Sequence, residues 1–234
     1  MLWLWVAAAV VVDGAAALVG GLLPDRWLNR HRPLMMGFAA GALLAAALLD
    51  MVPEAIASRG VLVLPWLLGS MVALAGFEWL LGVHDHHEHG KNPLPYALLA
   101  SDAFHNFGDG IAIAAAFLSS THLGIVTSLA VIVHEVPEEL ADYAVLRAAR
   151  IGKRNALIWL TVVQMTAGIG AAVTLLGASL GHGGGEFLAV AAGTFIYIAL
   201  VELMPDVLRG GPARDRWSAL GGLVLGIAAI WILG

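Results

Sequence analysis

Cysteine is absent from this chain of 234 residues, which excludes disulfides and thiolate metal sites together. Charge is scarce as well: charged residues make up 12% of the sequence, with 12 Lys and Arg against 17 Asp and Glu and a net charge of −5. A soluble domain of this length has to cover its surface with charge, and this composition cannot do so. The hydrophobic share of 60% and mean hydropathy of +0.85 instead place nearly the whole chain in lipid. The first run, Leu2 to Leu23, has no basic flank before it and contains Asp13, so it reads as a retained helix rather than a cleaved leader.

What is present is a series of long apolar runs separated by short breaks. A helix that crosses a bilayer needs roughly 20 mostly apolar residues. The breaks, at Pro24-Asp25, Ser58-Arg59-Gly60, Gly90 to Pro95, Gly181 to Gly185 and Gly210-Gly211-Pro212, carry turn chemistry. They predict an all-α integral membrane protein with eight transmembrane helices at about 2–23, 34–57, 61–83, 95–119, 122–147, 155–180, 186–208 and 217–233. The whole chain, 1–234, is then one transmembrane domain.

The bases are distributed unevenly. Arg26, Arg30, Arg32, Lys91, Arg147, Arg150, Lys153, Arg154, Arg209, Arg214 and Arg216 fall on one side of this arrangement, and Arg59 alone falls on the other. The positive-inside rule makes the richer side cytoplasmic and both termini extracytoplasmic. The segment 84–93 is then a cytoplasmic loop, and its His84-Asp85-His86-His87-Glu88-His89 run is a candidate for receiving or sensing metal.

Two octets match position by position in chemical type: Ala47-Leu48-Leu49-Asp50-Met51-Val52-Pro53-Glu54 and Ala199-Leu200-Val201-Glu202-Leu203-Met204-Pro205-Asp206. They lie in spans 2 and 7, which run in opposite directions. The match therefore predicts an inverted repeat, spans 1–3 against spans 6–8 around spans 4–5, as in many secondary transporters.

Lys and Arg are nearly missing from the spans, yet the acids are not. Asp13, Asp50, Glu54, Glu78, Asp102, Asp109, Glu135, Glu138, Glu139, Asp142, Glu202 and Asp206 all lie within them. An ionised carboxylate at mid-bilayer costs roughly 2.5–3.5 kcal/mol. Protons, water or metal cations must compensate it. The densest cluster is on spans 4 and 5: Asp102, His105, Asn106 and Asp109, then His134, Glu135, Glu138, Glu139 and Asp142. His105 with Asp109, and His134 with Glu138, stand at i, i+4 on single helical faces. Imidazole with carboxylate suits Zn, Fe, Mn, Co or Ni better than Ca or Mg, and the missing cysteines argue against a Cu(I) carrier. Gly108, Gly110 and Pro137 are expected to loosen the helices beside these donors. The competing interpretation is a set of interhelical hydrogen bonds. It suits Asp13 and Glu78 better than the cluster.

His105-Asn106-Phe107-Gly108-Asp109-Gly110 and His134-Glu135-Val136-Pro137-Glu138-Glu139-Leu140-Ala141-Asp142 resemble the span-4 and span-5 signatures of the ZIP family of metal-ion transporters, especially its histidine-rich branch. Span 2 around Asp50 and span 7 from Phe195 to Asp206 continue the resemblance, which covers about residues 40 to 210. It implies eight spans, outside termini, a homodimer, and transport of divalent metal toward the cytoplasm. The compact chain suits a prokaryotic cytoplasmic membrane. By residue-level match His105, Asp109, His134 and Glu138 are implied as primary ligands, Asn106 and Glu135 as completing a second, bridged position, and Asp50 as a ligand at one mouth.

Asp102, Glu139, Asp142, Gln164 and Glu202 are accessory candidates, together with the loop histidines. Zinc leads as the implied cargo, followed by iron, manganese and cadmium. Glu138 stands where the branch usually has histidine, as does Asp50, and both changes harden the site toward oxygen donation. No organic cofactor and no nucleic-acid partner is expected. An intramembrane zinc hydrolase is the enzyme alternative, but His134-Glu135-Val136-Pro137-Glu138 ends in Glu where a zinc-protease helix has its second His. A proton-coupled carrier of organic solutes leaves the paired His and carboxylate unexplained.

Overall fold

The structure is a computed structural model that describes residues 1–20, 25–81, 95–181, 183–209 and 212–234. Among these residues there is no strand, and the helices group into eight rods. Helix α1 is Leu2–Gly20. Helix α2 runs as α-helix over Asp25–Ala45, as π-helix over Ala46–Met51 and again as α-helix over Val52–Arg59. A 3-10 turn, Gly60–Val63, leads into α3, Leu64–Leu81. Then come α4, Pro95–Ser119; α5, Thr121–Ala148; and α6, Lys153–Ser179. Helix α7 repeats the compound pattern with Gly184–Tyr197, a π segment Ile198–Leu203 and Met204–Arg209, and α8 is Ala213–Leu233.

Local chemistry sets the ends. Gly60 has φ 65, a left-handed backbone that glycine adopts without a Cβ penalty, and so lets α2 turn directly into α3. Ser120 caps α5 by accepting a hydrogen bond from the Leu123 amide at 3.0 Å. Helix α5 ends where Arg150 takes φ 64. There the Ile151 amide reaches back to the Leu146 carbonyl at 3.1 Å, and the Arg147 guanidinium donates to the Ile151 carbonyl at 2.6 Å.

Two expectations change. The first connection was read as a break over 24–33, but α2 is helical from Asp25 and carries Pro33 inside it. At about 1.5 Å per residue the compound helix is longer than a hydrocarbon core of about 30 Å, so its basic first turns can remain helical beyond the apolar layer. Gly108, Gly110 and Pro137 do not interrupt their helices. Gly110 lies against the Ala167 carbonyl and Gly170 against the Phe107 carbonyl, so these glycines let α4 and α6 close together. The irregular backbone lies instead within the two matching octets. Each π segment begins one residue before its octet's first alanine and ends at the fifth residue.

The same close-approach device joins α2 to α8, where Gly37 and Gly41 face Ala219 and Leu223 while Gly222 and Gly226 face Leu34 and Phe38. A bulkier residue at any of these positions would meet backbone. The interior is rich in alanine, as at Ala39, Ala40, Ala112, Ala114, Ala115, Ala191 and Ala192. Large apolar side chains such as Trp3, Leu4, Trp66, Val72, Trp79, Leu80, Trp217 and Ile232 point outward, whereas Asp102, His105, Asp109, His134 and Glu135 are buried. In water that distribution is inverted, and in lipid it is the favourable one. Four described stretches are long and apolar enough to cross a membrane: Arg30–Leu81, Lys153–Ser179, Gly184–Leu203 and Ala213–Leu233. Helices α4 and α5 have sufficient length, and their mean hydropathy is lowered by the polar side chains they carry.

A buried histidine and carboxylate centre

Helix α4 presents His105 and Asp109 one turn apart, and α5 presents His134, Glu135 and Glu138 to the same space. His105 Nε2 and His134 Nε2 are 2.9 Å apart. Asp109 Oδ2 lies 3.5 Å from His105 Nε2 and 3.3 Å from His134 Nε2. Glu135 Oε1 lies 3.7 and 3.6 Å from the same two nitrogens. Four donor atoms from four side chains thus converge, and one donor atom from each of His105, His134, Glu135 and Glu138 fits within 4.8 Å. No Lys or Arg takes part in these contacts, so the charge that balances them has to come from protons or a cation.

The histidines differ in their outer faces. His134 Nδ1 is 3.2 Å from the Ala130 carbonyl, which can only accept, so the proton belongs on Nδ1 and the Nε2 lone pair faces the centre. His105 has no such anchor. Its Nδ1 lies 3.3 Å from Glu138 Oε1 and 3.9 Å from Glu202 Oε2, so its ring stands between two groups of donors. With a cation on Nε2 the His105 proton sits on Nδ1, where Glu138 and Glu202 are placed to accept it; with Nε2–H donated to the His134 lone pair, Nδ1 is the acceptor.

The accessory candidates fall around this core. The Gln164 amide donates to Glu135 Oε2 and, at 3.0 Å, to Glu139 Oε1, holding two α5 carboxylates from α6. Asn106 Nδ2 donates to Asp102 Oδ1 at 2.7 Å and to the Asp102 carbonyl at 3.1 Å, leaving the Asn106 oxygen without a hydrogen-bond partner among the described residues. Asp102 and Asp142 are buried and extend the acid lining along α4 and α5. Asp50 does not join the convergent group. It is partly exposed and lies against Gly234. Its octet counterpart, Glu202, does reach His105. The Asp206 side chain and the loop histidines His84, His86, His87 and His89 lie outside what the structure describes.

Sequence reasoning missed one polar link and set aside two residues that prove to be buried. The Tyr197 hydroxyl donates to Glu78 Oε2 at 2.7 Å, at the start of the π segment that carries Glu202. A π-helix brings residues five apart onto one face, so Tyr197 and Glu202 share a face that ordinary helical spacing would not give them. Asp13 is fully buried. A largely apolar cavity of about 580 Å³ between α3, α4 and α7 also reaches His105, with Trp66, Phe104, Phe107 and Thr194 in its wall.

The model of a family described as ZIP Zinc transporter matches residues 81–234, more than half of the chain. Zinc transporter ZIP4 of Homo sapiens is 43% identical over 116 residues, which are 50% of this chain and 18% of that protein. Zinc transporter SLC39A7 of Rattus norvegicus is 38% identical over 147 residues, 59% of this chain and 31% of that protein. Zinc transporter ZIP10 of Homo sapiens is 39% identical over 127 residues, 53% and 15%. The chain thus spans less than a third of the length of these relatives.

Proposed function

Because the chain belongs to the ZIP zinc transporter family, we propose that it moves divalent transition-metal cations across a bilayer toward the cytoplasm, zinc first among them, with iron, manganese and cadmium as further cargoes. It is an integral membrane protein. The observation that carries the proposal is the convergence of His105, Asp109, His134 and Glu135 in a buried space without a base. Mixed imidazole and carboxylate donors match a borderline divalent cation. His105, Asp109, His134 and Glu135 hold the cargo. Glu138 either joins them or holds the His105 ring through Nδ1, and Asn106 contributes its open carbonyl oxygen to a second, bridged position.

In this proposal the eight rods are eight spans with outside termini, the 84–93 loop receives metal on the cytoplasmic side, and Asp50 stands at the outer mouth. The inverted repeat has a packing argument. The six most extensive helix packings are α2 with α8, α2 with α7, α4 with α6, α3 with α7, α1 with α5 and α4 with α5. Exchanging α1 with α6, α2 with α7, α3 with α8 and α4 with α5 maps this set onto itself. The matched π segments support the same exchange. A homodimer follows from the family resemblance, and cross-linking in native membranes tests it.

The decisive experiment is uptake into liposomes holding the purified chain, with Zn, Mn, Fe, Co, Ni and Cd in competition. Saturable Zn entry, most of which His134→Ala removes, is the expected result. Zinc-dependent peptide cleavage or organic-solute uptake, with no metal flux, would overturn it in favour of a hydrolase or a solute carrier.

A further inference from the structure

We propose that Asp13 is a cation ligand which, with Asp109 and Glu135, forms a further divalent-cation station on the α1 side of the histidine centre. This deepens the transport reading and rests on it. Asp13 is 0% exposed, and neither of its carboxylate oxygens has a hydrogen-bond partner among the described residues. Helix α1 packs on α5 and α6 and also touches α4, the three helices that carry the centre. Asp13 lies within electrostatic reach of Asp109, His134, Glu135 and Glu139.

An unpartnered carboxyl at this depth is difficult to explain as packing. Ionised, it is an uncompensated charge that costs several kcal/mol, and protonated it still buries an unmatched O–H and C=O. An apolar residue of similar size would suit a purely structural role better. A divalent cation among Asp13, Asp109 and Glu135 eases the difficulty by giving the Asp13 oxygens a partner and offsetting two of the three carboxylate charges. Oxygen donors alone favour a harder ion than the two imidazoles do, so this station should accept Mn relative to Zn more readily than the His105 and His134 position.

The helix exchange gives the same placement. Helix α1 stands to α5 as α6 stands to α4, and the register that superposes the two octets carries Asp13 to within one residue of Gln164. Gln164 is the side chain by which α6 reaches Glu135 and Glu139. The two helices thus carry a buried polar side chain at corresponding positions, an amide donor in α6 and a carboxylate in α1. A cation is the partner that suits the second of them.

The test uses the full chain in lipid nanodiscs, titrated separately with Zn and Mn. Bound metal per chain and the metal-induced rise in unfolding temperature are measured for the parent protein, Asp13→Asn and His134→Ala. Asp13→Asn should weaken one binding step by about 10–100-fold, more visibly for Mn, while the step lost in His134→Ala remains. Its metal-free unfolding temperature should be equal or higher. Unchanged Zn and Mn binding in Asp13→Asn overturns the station while leaving the His134-dependent site standing. A parent protein that binds no divalent cation overturns the transport reading as well. If Asp13→Asn does not fold, Asp13→Glu decides: an altered Mn-to-Zn preference supports the station, and an unaltered one refutes it.

Discussion

His105→Ala is the most informative single change at the centre, because the His105 ring touches both groups of donors. Its Nε2 faces His134 at 2.9 Å, Asp109 at 3.5 Å and Glu135 at 3.7 Å, while its Nδ1 faces Glu138 at 3.3 Å. Loss of a residue that only orients a ligand costs about 10–100-fold in metal affinity. A ring that is both ligand and link should cost at least the upper figure, about 100-fold, or roughly 2.8 kcal/mol at about 1.4 kcal/mol per tenfold. His134→Ala should cost less, since the outer nitrogen of His134 is engaged by the Ala130 carbonyl rather than by a second donor group. Zinc affinity is measured by chelator competition in nanodiscs, beside initial uptake rates in liposomes. A cycle with Glu138→Gln should show coupling of about 0.5–3 kcal/mol, because the two residues are in contact. Affinity within threefold of the parent, or strict additivity with Glu138→Gln, would refute the shared-ring account.

A cysteine placed near Asp85 should resist an impermeant label in intact cells while one near Gly183 reacts, and the opposite pattern reverses the orientation drawn from the bases. Binding and flux should weaken as pH falls through about 6.5, the ordinary histidine range, since ligation needs neutral imidazole and protons then compete with the metal; a profile flat from mildly alkaline to mildly acidic conditions argues against histidine ligation. Glu138→His should shift competition toward Zn at the expense of Mn and Fe, because it replaces a hard oxygen by a borderline nitrogen. It should also lower any metal count above one per chain, and unchanged selectivity with an unchanged count removes Glu138 from the ligand set.

The helical class was legible because long apolar runs leave few alternatives, and the pairings of His105 with Asp109 and of His134 with Glu138 because i, i+4 spacing puts each pair on one helical face. Asp50 was less legible. Its octet match with Glu202 gives equal chemistry at equal positions, yet Glu202 turns toward His105 while Asp50 lies against Gly234. A repeat in sequence fixes where a residue sits on its own helix, and the neighbouring helices decide what it meets. The role of Gly110 was less legible for a related reason. Glycine in an apolar helix suits both loosened backbone and close approach, and only the position of α6 distinguishes them.

The residue set aside, Asp13, and the residue missed, Tyr197, share a physical cause. Asp13 is the only acid in its helix, so no i, i+4 partner marks it, and its significance comes entirely from α4 and α5 packing beside it. Tyr197 stands five residues before Glu202, a separation that an α-helix places on different faces and a π-helix places on one. Each octet holds its first acid in a π segment, and that acid is followed by a proline in the first turn of the next helix, where its missing N–H costs little. The pattern therefore had a sequence signature: an intramembrane acid three residues before a proline, at Asp50 with Pro53 and at Glu202 with Pro205. In a bilayer a backbone that departs from the i→i−4 ladder must find its hydrogen bonds within the protein. Such departures at the two acids of a matched repeat place the adaptable backbone beside the charges that a passing cation has to satisfy.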